Sequence, residues 1–95
     1  MLERVIEAYL TKKIKELNGR AYKWNSPGNV GVPDRIVMLP EARLAFVELK
    51  ATGKKPTAMQ EVQHRRIRDL GFQVFVLDSK TAVDEFLQVI GGGAK

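Results

Sequence analysis

The chain has 95 residues and no cysteine, which excludes disulfides, thiolate zinc sites and cysteine nucleophiles, and its one histidine cannot build a multi-histidine zinc site. One domain over residues 1–95 is the expected organisation; the lack of cysteine suits a reducing cytoplasm, no apolar run approaches the ~20 residues that span a bilayer, and no signal peptide is expected. Sixteen basic residues against eleven acidic give a charge of +5, which makes nucleic acid a candidate partner beside the ordinary alternative of solvated lysines.

Leu2, Val5, Ile6, Tyr9, Leu10, Ile14 and Leu17 recur at three- and four-residue steps and predict an amphipathic helix to about Leu17. Asn18-Gly19 ends it, because both residues tolerate a left-handed cap. "RAYKW" reads as a short strand and "NSPGNVGVP" as a turn-rich loop. "DRIVML" and "RLAFVELK" then read as two strands joined through "PEA" or a slightly longer turn. "ATGKKP" is expected to be a mobile basic loop. Thr57 is the candidate N-cap of a second helix, at capping-box spacing from Gln60. Met59, Val62, Ile67 and Leu70 supply its apolar side, and Gly71 stops it. "FQVFVL" is a fourth strand. Ser79 or Asp78 caps a last helix that turns Ala82, Val83, Phe86, Leu87 and Ile90 inward, and residues 91–95 are an expected disordered tail. The order α-β-β-β-α-β-α predicts an α/β fold with one mixed sheet flanked by helices.

The second hairpin strand carries the first chemical signal. Alternation puts Phe46, Glu48 and Lys50 on one side and Ala45, Val47 and Leu49 on the other. If the turn holds an odd number of residues, Asp34 lies opposite Glu48 or Lys50, with facing Cβ atoms roughly 4.5–5.5 Å apart. Two carboxylates that close repel unless a cation neutralises them, and hard oxygen ligands suit Mg²⁺ or Mn²⁺. An ammonium beside them can polarise a water or neutralise charge developing on phosphorus. An even turn would put Asp34 opposite Leu49, and a plain Glu48–Lys50 ion pair at a sheet end is the alternative reading. Glu3 and Glu7, one turn apart at the margin of the first helix's apolar stripe, can bring a third carboxylate over the sheet edge, or can simply complement the helix dipole. Gln60 either closes the capping box or points its amide at the site.

"GVPDRIV", "FVELKA", "TAMQ" and "LGFQVFVLDS", preceded by a helix with "IEAYL", resemble the stand-alone VRR-Nuc domain of the PD-(D/E)xK nucleases, common in phage and bacteria. The likeness covers roughly residues 3 to 88. It implies a restriction-endonuclease-like core and a Mg²⁺- or Mn²⁺-dependent DNA endonuclease. Catalytic roles fall on Asp34, Glu48, Lys50 and Gln60, and metal ligation on Glu7 (Glu3 as the alternative), Asp34, Glu48 and the Leu49 carbonyl. It further implies a homodimer acting on branched DNA, four-way junctions in particular, in a bacterial or phage-infected cell, with no organic cofactor. Arg20, Lys23, Arg35, Lys54, Lys55, Arg65 and Arg66, with Arg68 beside them, are the candidate phosphate contacts, and Trp24 can stack on a base or serve the core or dimer interface. After Lys50 the chain reads "ATGKKP" and departs from the signature that gives the family its name. A single-nick flap nuclease and a non-catalytic DNA-binding module of the same fold are the competing readings.

Overall fold

The computed structural model of the protein describes residues 1–91, so the expected tail lies outside the described residues apart from Gly91. The elements are α1 (Glu3–Glu16), β1 (Arg20–Lys23), β2 (Arg35–Leu39), β3 (Arg43–Leu49), α2 (Ala58–Asp69), β4 (Val74–Leu77) and α3 (Lys80–Ile90), in the order read from the sequence. Helix α1 ends where Asn18 takes the left-handed conformation at φ 64°. Gly19 follows at a close approach, since a Cβ there would lie 2.6 Å from the Met38 carbonyl oxygen.

The sheet has the order β1-β2-β3-β4. β1–β2 and β2–β3 pair antiparallel, and β3–β4 pair parallel across the α2 connection. A mixed sheet follows from this chain order, because a hairpin joins antiparallel neighbours and a helix crossover joins parallel ones. The β2–β3 turn closes with three residues, Pro40 to Ala42, between the paired Leu39 and Arg43. Glu41 and Ala42 sit there at φ 69° and 61°, a region that non-glycine residues rarely occupy.

One face of the sheet carries Val37, Leu39, Ala45, Val47, Leu49 and Leu77, and packs against Ile6, Leu10 and Ile14 of α1 and Val83, Phe86 and Ile90 of α3. The other face carries Glu48 and meets α2. Helix α2 is seated by only part of the apolar side expected of it: Val62 and Ile67 are half-buried. Met59 and Leu70 are 48% and 77% exposed, and its buried residue is His64. β1–β3 beyond the reach of α2 leave Tyr22 and Met38 exposed beside half-buried Ile36, Leu44 and Phe46. Trp24 stacks on Phe46 at 5.3 Å between ring centroids, and Phe72 meets Phe46 edge-on at 5.9 Å. No helix of the described residues is long and apolar enough to cross a membrane.

Candidate active site

The three-residue turn sets Arg35 opposite Val47, so the next pair outward is Asp34 and Glu48. Both carboxylates therefore emerge from the face that α2 covers. Asp34 is half-buried, and its Oδ2 accepts a hydrogen bond from the Leu49 main-chain N–H at 2.8 Å. Glu48 is 1% exposed. Its Oε2 accepts from Gln60 Nε2 at 3.0 Å and lies 3.7 Å from Lys50 Nζ. Its Oε1 is buried with no hydrogen-bond partner and lies 3.6 Å from His64 Nε2, which is buried and unpartnered as well.

Local structure explains how Gln60 arrives there. Thr57 caps α2 and its Oγ accepts from the Gln60 N–H, while Gln60 Oε1 accepts from the Thr57 N–H at 2.8 Å. With the amide oxygen occupied by the capping box, the amide nitrogen is left to donate to Glu48. The two roles that the sequence offered as alternatives are filled at once by the two ends of one amide. The glycine loop before Asp34 is clamped to the same helix start. Gly31 has φ 94°, and a Cβ on it would stand 2.9 Å from the Met59 carbonyl oxygen. Gln63 Nε2 donates to the Val30 carbonyl at 3.1 Å, and Pro33 is buried.

The electrostatics are those of an under-neutralised acidic cluster. Glu48 is pushed up to about 7, first by its burial and then by the Asp34 charge. Lys50 opposes this, while a hydrogen bond to Asp34 and the charge of Glu3 reinforce it. Glu3 is raised too, by desolvation first and then by Asp34 and Glu7, against Lys50. Burial, with help from Arg68, pushes the His64 imidazole down, which favours its neutral form. A cleft of about 220 Å³, lined by Glu3, Glu7, Lys23, Trp24, Asn25 and Asp34, opens beside the carboxylates.

No family model matches the chain. Over 78 residues it is 50% identical to "Putative nuclease p44" of Acyrthosiphon pisum secondary endosymbiont phage 1, a match that covers 82% of this chain and 84% of that protein. Its fold superposes on a solved structure described as a VRR_NUC domain with a TM-score of 0.85 at 33% identity, covering 90% of this chain and 94% of that one. The chain belongs to the VRR-Nuc nuclease family.

Two of the residues expected at this VRR-Nuc site are engaged otherwise. Arg35, expected on phosphate, donates through Nε and Nη2 to Glu7 Oε2 at 2.9 and 2.8 Å and through Nη1 to the Ala21 carbonyl at 2.6 Å. Its side chain is only 14% exposed. The reason is alternation: Arg35 follows Asp34, so it points to the α1 side of the sheet, where Glu7 waits. Glu7, expected as the helix-1 ligand, makes this ion pair while lining the same cleft as Glu3 and Asp34, and Glu3 is the α1 acid whose charge helps to raise Glu48. Arg20, Lys23, Lys54, Lys55, Arg65 and Arg66 are exposed. Arg68 is tied to the Val74 carbonyl at 2.7 Å. The 51–56 loop is anchored at its start, where Thr52 donates to the Met1 and Asp78 carbonyls and Gly53 N–H to the Asp78 carboxylate. His64 was missed from sequence. The available signal was its position one helical turn after Gln60 and so on the same side of α2.

The residues of this VRR-Nuc site suit a hard divalent cation. Glu48 Oε1 is a buried oxygen without a partner, and two carboxylates face each other with a single lysine between them and neutrality. Among the described residues no group of three or more His, Cys, Asp or Glu side chains closes around one point.

Proposed function

We propose that this nuclease is a Mg²⁺- or Mn²⁺-dependent, structure-specific DNA endonuclease that resolves four-way junctions as a symmetric homodimer. The observation that carries the reading is Asp34 facing Glu48 on one side of the sheet, with Lys50 3.7 Å from the Glu48 carboxylate. Asp34, Glu48 and the Leu49 carbonyl would hold the cation, with Glu3 rather than Glu7 as the acid reaching in from α1. When bound, the cation supplies Lewis acidity, polarising the phosphodiester and easing deprotonation of water.

The chain's own groups do the rest. Lys50, held near Glu48, positions the attacking water and offsets the charge that builds on phosphorus in the transition state. Gln60 fixes Glu48 from above. Asp34 is fixed by the Leu49 N–H, which ties the two hairpin strands at the reacting end. The exposed Arg20, Lys23, Lys54, Lys55, Arg65 and Arg66 bind the phosphate backbone, a contact that reads shape and not sequence. As the new P–O bond forms, the attacking water gives up its proton to solvent, the P–O bond to the leaving oxygen breaks, and that oxygen takes a proton from solvent.

The homodimer reading rests on the number of sites and on the open sheet face. One chain carries one ExK pair, whereas opposed strands of a junction both require cutting. Tyr22 and Met38, 52% and 39% exposed on the face that carries Glu48, offer apolar surface for a second copy. Pairing there would turn both sites to one side. The test is cleavage of a four-way junction beside linear duplex and flap DNA, with Mg²⁺, Mn²⁺ or EDTA, together with sedimentation of the protein free and on the junction. Paired symmetric cuts by a dimer, abolished by EDTA, are expected. A strict monomer that nicks flaps once would replace junction resolution with flap cleavage. Binding without cutting in any metal would reduce the protein to a DNA-binding module.

A further inference from the structure

His64 is the buried residue of α2 and is 2% exposed. Its Nε2 has no hydrogen-bond partner and lies 3.6 Å from Glu48 Oε1, the other unpartnered buried polar side-chain atom among the described residues. That separation is too long for a hydrogen bond and too short to admit a bridging water. An approach of about half an ångström would bring the two atoms within hydrogen-bond range. Gln60 and His64 are one helical turn apart, so they project from the same side of α2. Gln60 Nε2 already holds Glu48 Oε2 at 3.0 Å. The imidazole Nε2 lies nearest the remaining oxygen, at 3.6 Å.

A purely structural role would be better filled by leucine, which would bury no polar atom at this position. His64 is nevertheless the most deeply buried residue of α2, deeper than half-buried Val62 and Ile67, while Met59 and Leu70 are exposed. A carboxylate oxygen has two lone pairs, so a hydrogen bond to each oxygen of Glu48 still leaves one lone pair on each for a cation. Ligating carboxylates are themselves held by hydrogen bonds, and losing such a partner typically costs 10–100-fold in metal affinity.

We propose that His64 is a positioning residue, which together with Gln60 grips both oxygens of Glu48 and presents that carboxylate to the cation in one orientation. This rests on the reading of Glu48 as a cation ligand. Glutamine carries its amide nitrogen at about the reach of imidazole Nε2, while asparagine stops short, near the position of Nδ1. The experiment is Mn²⁺ titration of the DNA-free protein by calorimetry, for wild type, His64→Gln, His64→Asn and Glu48→Gln. His64→Gln should bind Mn²⁺ close to wild type, and His64→Asn about 10–100-fold more weakly. Equal affinities for the glutamine and asparagine variants, whether both strong or both weak, would overturn the assignment. Glu48→Gln separates the two levels. If it loses Mn²⁺ while the two His64 variants match each other, only the His64 inference fails. If it binds Mn²⁺ like wild type, the cation reading fails and takes the inference with it.

Discussion

Replacing Glu48 by glutamine should make the metal-free protein more stable while removing its activity. Glu48 is 1% exposed and faces Asp34, and its carboxyl is raised from 4.5 to about 7. The folded chain thus holds this proton more tightly than the unfolded chain does. The stabilisation is complete below the unfolded value of 4.5 and is lost as pH rises through about 7. Above that the native state bears the whole cost of the buried charge, on the order of 3 kcal/mol. Glutamine keeps the shape, lets its oxygen accept from Gln60, and offers N–H groups to Asp34. In EDTA at pH 8, Glu48→Gln should therefore be more stable by about 2–3 kcal/mol, which at about 4–8 °C per kcal/mol in so small a domain is a large rise in Tm. At pH 4.5 the gap should close. Urea and thermal unfolding at both pH values measure it. Adding Mn²⁺ at pH 8 should stabilise wild type, by about 2.7 kcal/mol at a hundred times its Kd, and leave the variant unmoved. A variant less stable than wild type at pH 8 in EDTA, or a difference that ignores pH, would refute the account of the site as an under-neutralised carboxylate pair.

Gly31→Ala forces a side chain onto the Met59 carbonyl at positive φ; it should cost roughly 2 kcal/mol in chemical denaturation and reduce cleavage by loosening Asp34 against α2. Ala42→Gly relieves a left-handed turn residue at φ 61° and should raise stability by up to about 1 kcal/mol with cleavage unaltered, so a fall in Tm would count against strain in that turn. Glu3→Gln should weaken Mn²⁺ binding while keeping stability. Glu7→Gln should do the reverse, because it strands the guanidinium of Arg35, and an exchange of these two outcomes would return the α1 ligand to Glu7. The slope of log K for junction binding against log salt should fall by about one per residue when Lys54, Lys55, Arg65 or Arg66 is neutralised and stay unchanged in Arg35→Gln.

Much of the fold was legible in the sequence because its signals are local. The four-residue steps of Ile6, Leu10 and Ile14, the Asn18-Gly19 stop and the Thr57–Gln60 box depend on neighbours within about one turn of chain, and each appears where expected. Strand alternation likewise makes Glu48 and Lys50 share a side whatever surrounds them. It left the hairpin register open, since Asp34 meets Glu48 only once the turn is known to hold three residues.

What only the tertiary structure decided is which partner each polar group meets across elements. Arg35 reads as a free cation along the chain, but its strand side and the position of α1 deliver it to Glu7. That pairing engages Arg35 away from the phosphate contacts and gives Glu7 a partner, while Glu3, Glu7 and Asp34 line one cleft. Met59, Val62, Ile67 and Leu70 look like the seat of α2, yet only Val62 and Ile67 are half-buried and His64 is the residue that goes fully inward. Gln60 had two readings because a side-chain amide has two ends, and only the packing of α2 over β3 brings the second end to Glu48. Periodicity is a property of the backbone and survives without context. The pairing of charges depends on a few ångströms between segments far apart in sequence, and those distances exist only in the folded chain.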